Sequence, residues 1–197
     1  MTFQYFFFDT YAGDFLQVLP AAVLAAVIYG LCRRRKLRRA GERWRWWDTW
    51  KTLFICYLTG LLALVAVPSA LWNTIWYFIF YGNTGGGRFQ FFTLVYNLVP
   101  DFFRDFSLEN LGNILMFLPF GILYPLAKGE GRFGRTLGAT AALTVAIELF
   151  QPVVGRSFDV NDICLNFLGA ALSAAVTCAL WRLIQKYELS DKSAVKP

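Results

Sequence analysis

Five apolar runs of membrane-crossing length divide the chain, at 15–32, 52–71, 111–127, 136–154 and 163–184. A helix rises about 1.5 Å per residue, so each run covers roughly the 30 Å of a bilayer's hydrocarbon core. Within that core every backbone N–H and C=O must find a partner inside the protein, which restricts spanning segments to helices or closed barrels. Continuous apolar runs of this length, without strict alternation, read as helices. Composition agrees. Of the 197 residues 57% are hydrophobic, 18% aromatic and only 16% charged, against roughly 25% charged in a soluble domain. The expectation is an all-α membrane protein: one domain over residues 1–197, built as a bundle of about five transmembrane helices. The third run contains Pro119 and Pro125, so a kink there, or a start outside the hydrocarbon at Glu109, is expected.

Orientation follows from the basic residues. If the N-terminus lies outside, the inner segments 33–51, 128–135 and 182–197 hold 16 of the 19 Lys and Arg, and the outer ones keep Arg88, Arg104 and Arg156. The positive-inside rule therefore gives N-out, C-in. The basic block at 33–45 reads as the anchor of the first span, with Trp44, Trp46 and Trp47 at the interface; no nucleic-acid partner is expected. Residues 1–14 carry two Asp and no Lys or Arg, the wrong charge for a secretory signal. Their aromatic side chains form either a short interfacial helix or the outer end of span 1. Segment 73–108 reads as an aromatic outer loop on, or dipping into, the outer leaflet. Its apolar pieces, 74–81 and 89–99, are too short to cross, and one more crossing would reverse the charge balance downstream.

Absent residues prune the chemistry. There is no His, hence no Ser-His-Asp or Cys-His machinery. Cys32, Cys56, Cys164 and Cys178 form no CxxC and sit in or beside apolar segments, so neither a disulfide framework nor a zinc site is indicated. No metal and no cofactor are expected.

Polar groups inside spans are costly, so their placement is informative. Glu148 and Gln151 lie three residues apart on one face of span 4. Span 5 carries Asp159, Asp162, Asn166, Gly169, Ser173 and Thr177, one polar-or-small stripe at helical steps. Span 3 has Asn110, Asn113, Phe117 and Gly121 at similar steps. In the assigned topology the upper ends of all three stripes meet on the outer side. The lower half of the span 5 stripe reads as close helix packing. Asn113 and Asn166 are open to two readings, interhelical hydrogen bonding or ligand contact. Glu148 needs a partner, and Arg156, on the connector between spans 4 and 5, is expected close to Glu148, Asp159 or Asp162.

Four blocks together resemble the VanZ-like family of bacterial membrane proteins. They are Tyr96-Asn97-Leu98-Val99-Pro100; Asn113 through Phe117 and Pro119 to Gly121; Glu148-Leu149-Phe150-Gln151; and Gly155-Arg156-Ser157-Phe158-Asp159-Val160-Asn161-Asp162 running to Asn166 and Gly169. The similarity covers about residues 88–172. Asn161 stands where the usual pattern has an acid. The resemblance implies a multi-pass protein of the bacterial plasma membrane acting on or near the cell envelope, in a family associated with low-level resistance to the glycopeptide antibiotic teicoplanin.

Three functions compete. In the first, a polar cluster in the outer leaflet binds an envelope lipid, a peptidoglycan-related group or an acyl-bearing glycopeptide. Its candidate ligand-binding residues are Arg156, Asp159, Asp162, Glu148, Gln151, Asn113, Asn166, Arg88 and Asn97, and Arg156 offers a planar fork suited to carboxylate or phosphate. In the second, an intramembrane enzyme uses Glu148, Asp159 and Asp162 as acid and base or as oxygen ligands to a divalent metal. No nucleophile elbow, phosphate loop or zinc signature accompanies them, so the binding reading is preferred. The third, a transporter or channel, is disfavoured because the polar cluster sits on one side only and no inverted repeat is visible.

Overall fold

The computed structural model describes residues 2–85, 91–104 and 107–194, with side chains as far as Lys186. A short helix α1 (Phe3–Phe8) leads into α2 (Tyr11–Arg39), followed by α3 (Trp46–Val65) and α4 (Ser69–Tyr81). A two-residue strand β1 (Tyr96–Asn97) precedes α5 (Leu108–Lys128) and α6 (Phe133–Phe150). A 3-10 turn (Gln151–Val154) and strand β2 (Phe158–Asp159) then lead into α7 (Val160–Ala194). Five of these helices, α2, α3, α5, α6 with its 3-10 turn, and α7, are long and apolar enough to cross a membrane.

Local sequence explains the boundaries. Thr10 stops α1 and starts α2: its hydroxyl donates to the Phe6 carbonyl at 2.6 Å and accepts the Gly13 amide at 3.1 Å. α3 starts earlier than the apolar run at 52–71, because Asp48 in its first turn accepts the Arg45 amide at 3.0 Å and caps the helix. It ends at Val65, three residues before Pro68, whose ring disfavours helical geometry in the residue before it. The apolar residues beyond Pro68 continue in α4. Segment 73–108 is therefore not loop throughout: its first part, to Tyr81, is helical. At 13 residues, about 20 Å, α4 is too short to cross.

Of the two readings of the N-terminus, the short helix is the one observed. The rings of Phe7 and Phe8 on α1 stack or meet edge-on with Trp76, Tyr77 and Phe80 of α4. Gln17 of α2 ties the two together, its amide donating to the Phe7 carbonyl at 2.8 Å and to Asn73 Oδ1 at 2.9 Å.

The core lies where α3, α5, α6 and α7 meet, around Leu61, Val65, Phe117, Phe120, Ile147 and Ala170. The most extensive helix contact is between α5 and α7, and two glycines permit it. A Cβ on Gly121 would sit 2.2 Å from the Ala170 carbonyl oxygen, and one on Gly169 2.2 Å from that of Ile114. The lower part of the span 5 stripe is thus a packing surface, as small residues between membrane helices often are. α6 buries Thr136, Thr140, Thr144 and Glu148, four residues at steps of four and hence on one face.

Candidate functional site

Glu148 ends the buried threonine face of α6 and is 0% exposed. No cation meets it. Its Oε2 accepts the backbone amide of Asp159 at 3.1 Å, which ties the end of α6 to the start of α7 across the connector. The backbone of the connector is closed by a second bond, from the Arg156 amide to the carbonyl of buried Gln151 at 3.0 Å. Glu148 Oε1 has no partner among the described residues, and the same holds for Oδ1 of buried Asn166 on α7.

Asp159 sits in β2, which pairs in parallel with β1 so that Asn97 lies opposite it. The Asn97 amide donates to both carboxylate oxygens, at 3.2 and 3.3 Å, and the Asn161 backbone amide donates to Oδ1 at 2.7 Å. Asn161 makes the next tie. Its Oδ1 accepts the amides of Asp101 and Phe102 at 2.9 and 3.3 Å, and its Nδ2 donates to Asp101 Oδ1 at 2.7 Å. Asp162, one turn into α7, accepts the side-chain amide of Asn113 on α5. Further bonds run from Thr93 to the Pro152 carbonyl at 2.9 Å and from Phe158 to that of Val95 at 3.0 Å. Loop 91–104 is thereby fastened along the α6–α7 connector.

Of the sequence candidates, Glu148, Asp159 and Asn97 thus join one chain of hydrogen bonds at one end of the bundle, and Asp162 and Asn113 form a separate bond at the same end. Gln151 and Asn166 are buried on α6–α7 beside it. Arg88 lies outside the described residues. The expected ion pair of Arg156 is not formed: none of the three carboxylates lies within 4.0 Å of it. The reason is that each has taken neutral N–H donors instead. Arg156 is exposed, and its Nη1 reaches the Val65 carbonyl at the end of α3 at 3.5 Å. It stands within electrostatic range of Glu148, Asp162 and Asp14 of α2. With this one contact among the described residues, the guanidinium keeps most of its donors free for an incoming anion.

Sequence reasoning missed two contributors. Asn161 was visible only as a replaced acid, yet its amide donates and accepts at once, which no carboxylate does. Asp14, at the start of α2, comes within electrostatic range of Arg156, and it stands just before the first apolar run, where the signal was a carboxylate at the edge of a span. The loop itself presents apolar side chains: Leu94 is 79% exposed and Phe103 83%, with Phe92, Leu98 and Val99 also exposed. Among the described residues no three His, Cys, Asp or Glu side chains gather as a metal-binding set.

Residues 54–182 match the family model described as VanZ/LLP1. The match begins within α3 and so takes in more of the chain than the four sequence blocks do. No curated protein and no solved structure matches the chain.

Proposed function

The chain belongs to the VanZ/LLP1 family, and on that footing we propose that its polar end binds an anionic, acyl-bearing molecule of the bacterial envelope, with Arg156 as the anchoring contact. The observation that carries this is the conjunction of an exposed guanidinium, without an ion pair among the described residues, and an adjoining loop that holds apolar side chains outward. A guanidinium suits phosphate or carboxylate oxygens. Exposed side chains such as Phe92, Leu94 and Phe103 suit acyl chains. An anionic phospholipid, a peptidoglycan-related lipid and a lipid-bearing glycopeptide all join these two chemistries. In this reading the protein sits in the plasma membrane with its polar end outward and contributes low-level protection against teicoplanin by engaging such a ligand. Asp159, Asn97 and Asn161 serve the site by positioning the loop.

The enzyme reading draws on one observation, the buried Glu148 Oε1 without a partner among the described residues. Asp159 and Asp162 fit it less well, since neutral donors already occupy them.

The test is a teicoplanin susceptibility assay with membrane abundance measured alongside. Arg156→Ala is expected to remove protection at unchanged abundance. Arg34→Lys with Arg35→Lys, which keeps the charge of the basic end, is expected to retain it. Full protection from Arg156→Ala would overturn the reading.

A further inference from the structure

At the end of the bundle away from Arg156, a cavity of about 330 Å³ opens between the last part of α2, the start of α3 and the end of α5. Four cations line it, Arg33, Arg45, Lys51 and Lys128, against two carboxylates, Asp48 and Glu42. Asp48 is closed to a ligand. It is buried, its Oδ1 receives Arg33 Nε at 2.7 Å and its Oδ2 receives the Arg45 amide. That pair neutralises one cation and fixes its position. Arg45, Lys51 and Lys128 form no ion pair among the described residues. The Lys128 ammonium rests 5.8 Å from the centroid of the Tyr124 ring. Glu42 is exposed and likewise without an ion pair, so it offsets one of the three free cations and leaves the cleft net positive.

We propose that this cleft binds the phosphate of an anionic phospholipid headgroup. Three cations brought by two helices to one concavity provide several donors for a tetrahedral group of acceptors, Arg45 as a fork and the lysines as point charges. A lipid source is favoured over free phosphate by the surroundings. Trp47 forms part of the wall, and tryptophan concentrates at headgroup depth. On the same two helices an apolar groove runs past Val23, Val27, Leu31 and Leu53 and ends at Arg34 and Trp44, the sequence neighbours of the cleft's Arg33 and Arg45. A basic pocket between helices at the end of a membrane bundle is the setting in which anionic headgroups are held. The site is independent of the polar end.

The purified full chain in neutral detergent is mixed with phosphatidylglycerol or with phosphatidylcholine, and bound lipid is counted by native mass spectrometry. Phosphatidylglycerol is expected to be retained in preference. Lys51→Gln with Lys128→Gln should weaken that retention roughly tenfold or more, and Lys51→Arg with Lys128→Arg should keep it. Arg38→Gln with Arg39→Gln, which removes the same charge outside the cleft, should leave it unchanged. Arg45→Gln replaces the glutamine pair if that pair fails to fold. Equal retention of the two lipids, or equal loss from both charge-removing pairs, overturns the proposal. Displacement of phosphatidylglycerol by an equal concentration of inorganic phosphate overturns the lipid source.

Discussion

Asn97 and Asp159, 62 residues apart in the chain, face each other across a two-residue parallel ladder, with the amide of one donating to both oxygens of the other. This contact fixes where the apolar loop lies relative to Arg156. Asn97→Asp puts a second carboxylate against the first and removes the donor. It is expected to cost about 1–3 kcal/mol and to speed hydrogen exchange at the Phe158 and Thr93 amides, which hold the loop to the connector. Unchanged exchange at both would show that the ladder stands without this pair.

The glycines of the α5–α7 contact give a second prediction, with an internal control. Gly169→Ala forces a Cβ to within 2.2 Å of the Ile114 carbonyl oxygen, whereas nothing lies within 4 Å of a Cβ on Gly138 of α6. Gly169→Ala should lower stability by about 1–3 kcal/mol. Gly138→Ala should be neutral or raise it by about 0.5–1 kcal/mol, since alanine restricts the unfolded chain more than glycine does. Thermal unfolding in detergent of the two variants side by side measures the difference.

At the basic end, Asp48 both caps α3 and receives Arg33. Asp48→Asn keeps the shape but loses the charge, and is expected to cost about 1–2 kcal/mol. Asparagine has one acceptor oxygen for these two donors, so one of the bonds is replaced by opposed N–H groups; Arg33 is partly exposed, and the charge of the ion pair itself contributes little of the loss. A double-mutant cycle with Arg33→Gln separates the two.

Much of this architecture was legible in the chain. The apolar runs locate all five long helices, because burial in lipid demands long uninterrupted apolar sequence. The helical steps of Asp162, Asn166 and Gly169 indicate which face of α7 meets α5. What local pattern does not carry is pairing between distant segments. The β1–β2 ladder, and the Asn161 side chain bonded to Asp101, join parts of the chain some 60 residues apart, and no periodicity encodes them. Helix α4 went unread because Pro68 divides one apolar stretch between two helices, and hydropathy alone does not register a change of direction. Arg156 was expected in an ion pair on the argument that buried carboxylates seek cations; here backbone and amide N–H groups supply the donors instead.

The charge asymmetry predicts orientation. In a background with Cys32, Cys56, Cys164 and Cys178 replaced, an impermeant thiol reagent applied to intact cells should label a cysteine at Ser157 and miss one at Gly129. These positions lie at opposite ends of the bundle, on the α6–α7 connector and after α5. Labelling of Gly129→Cys alone would reverse the topology and put the polar end in the cytoplasm.

The central claim is that Arg156 anchors an anionic, acyl-bearing ligand, and it is met most directly by mass spectrometry of the lipids and envelope fragments that co-purify with the intact chain and with Arg156→Ala. Loss of a charged hydrogen-bond donor typically weakens binding by about tenfold or more. The account predicts an anionic acyl-bearing species enriched with the intact chain and depleted by at least roughly that factor from the variant, with the phosphatidylglycerol of the basic cleft retained in both. Recovery of the same molecules in the same amounts from both proteins would contradict it.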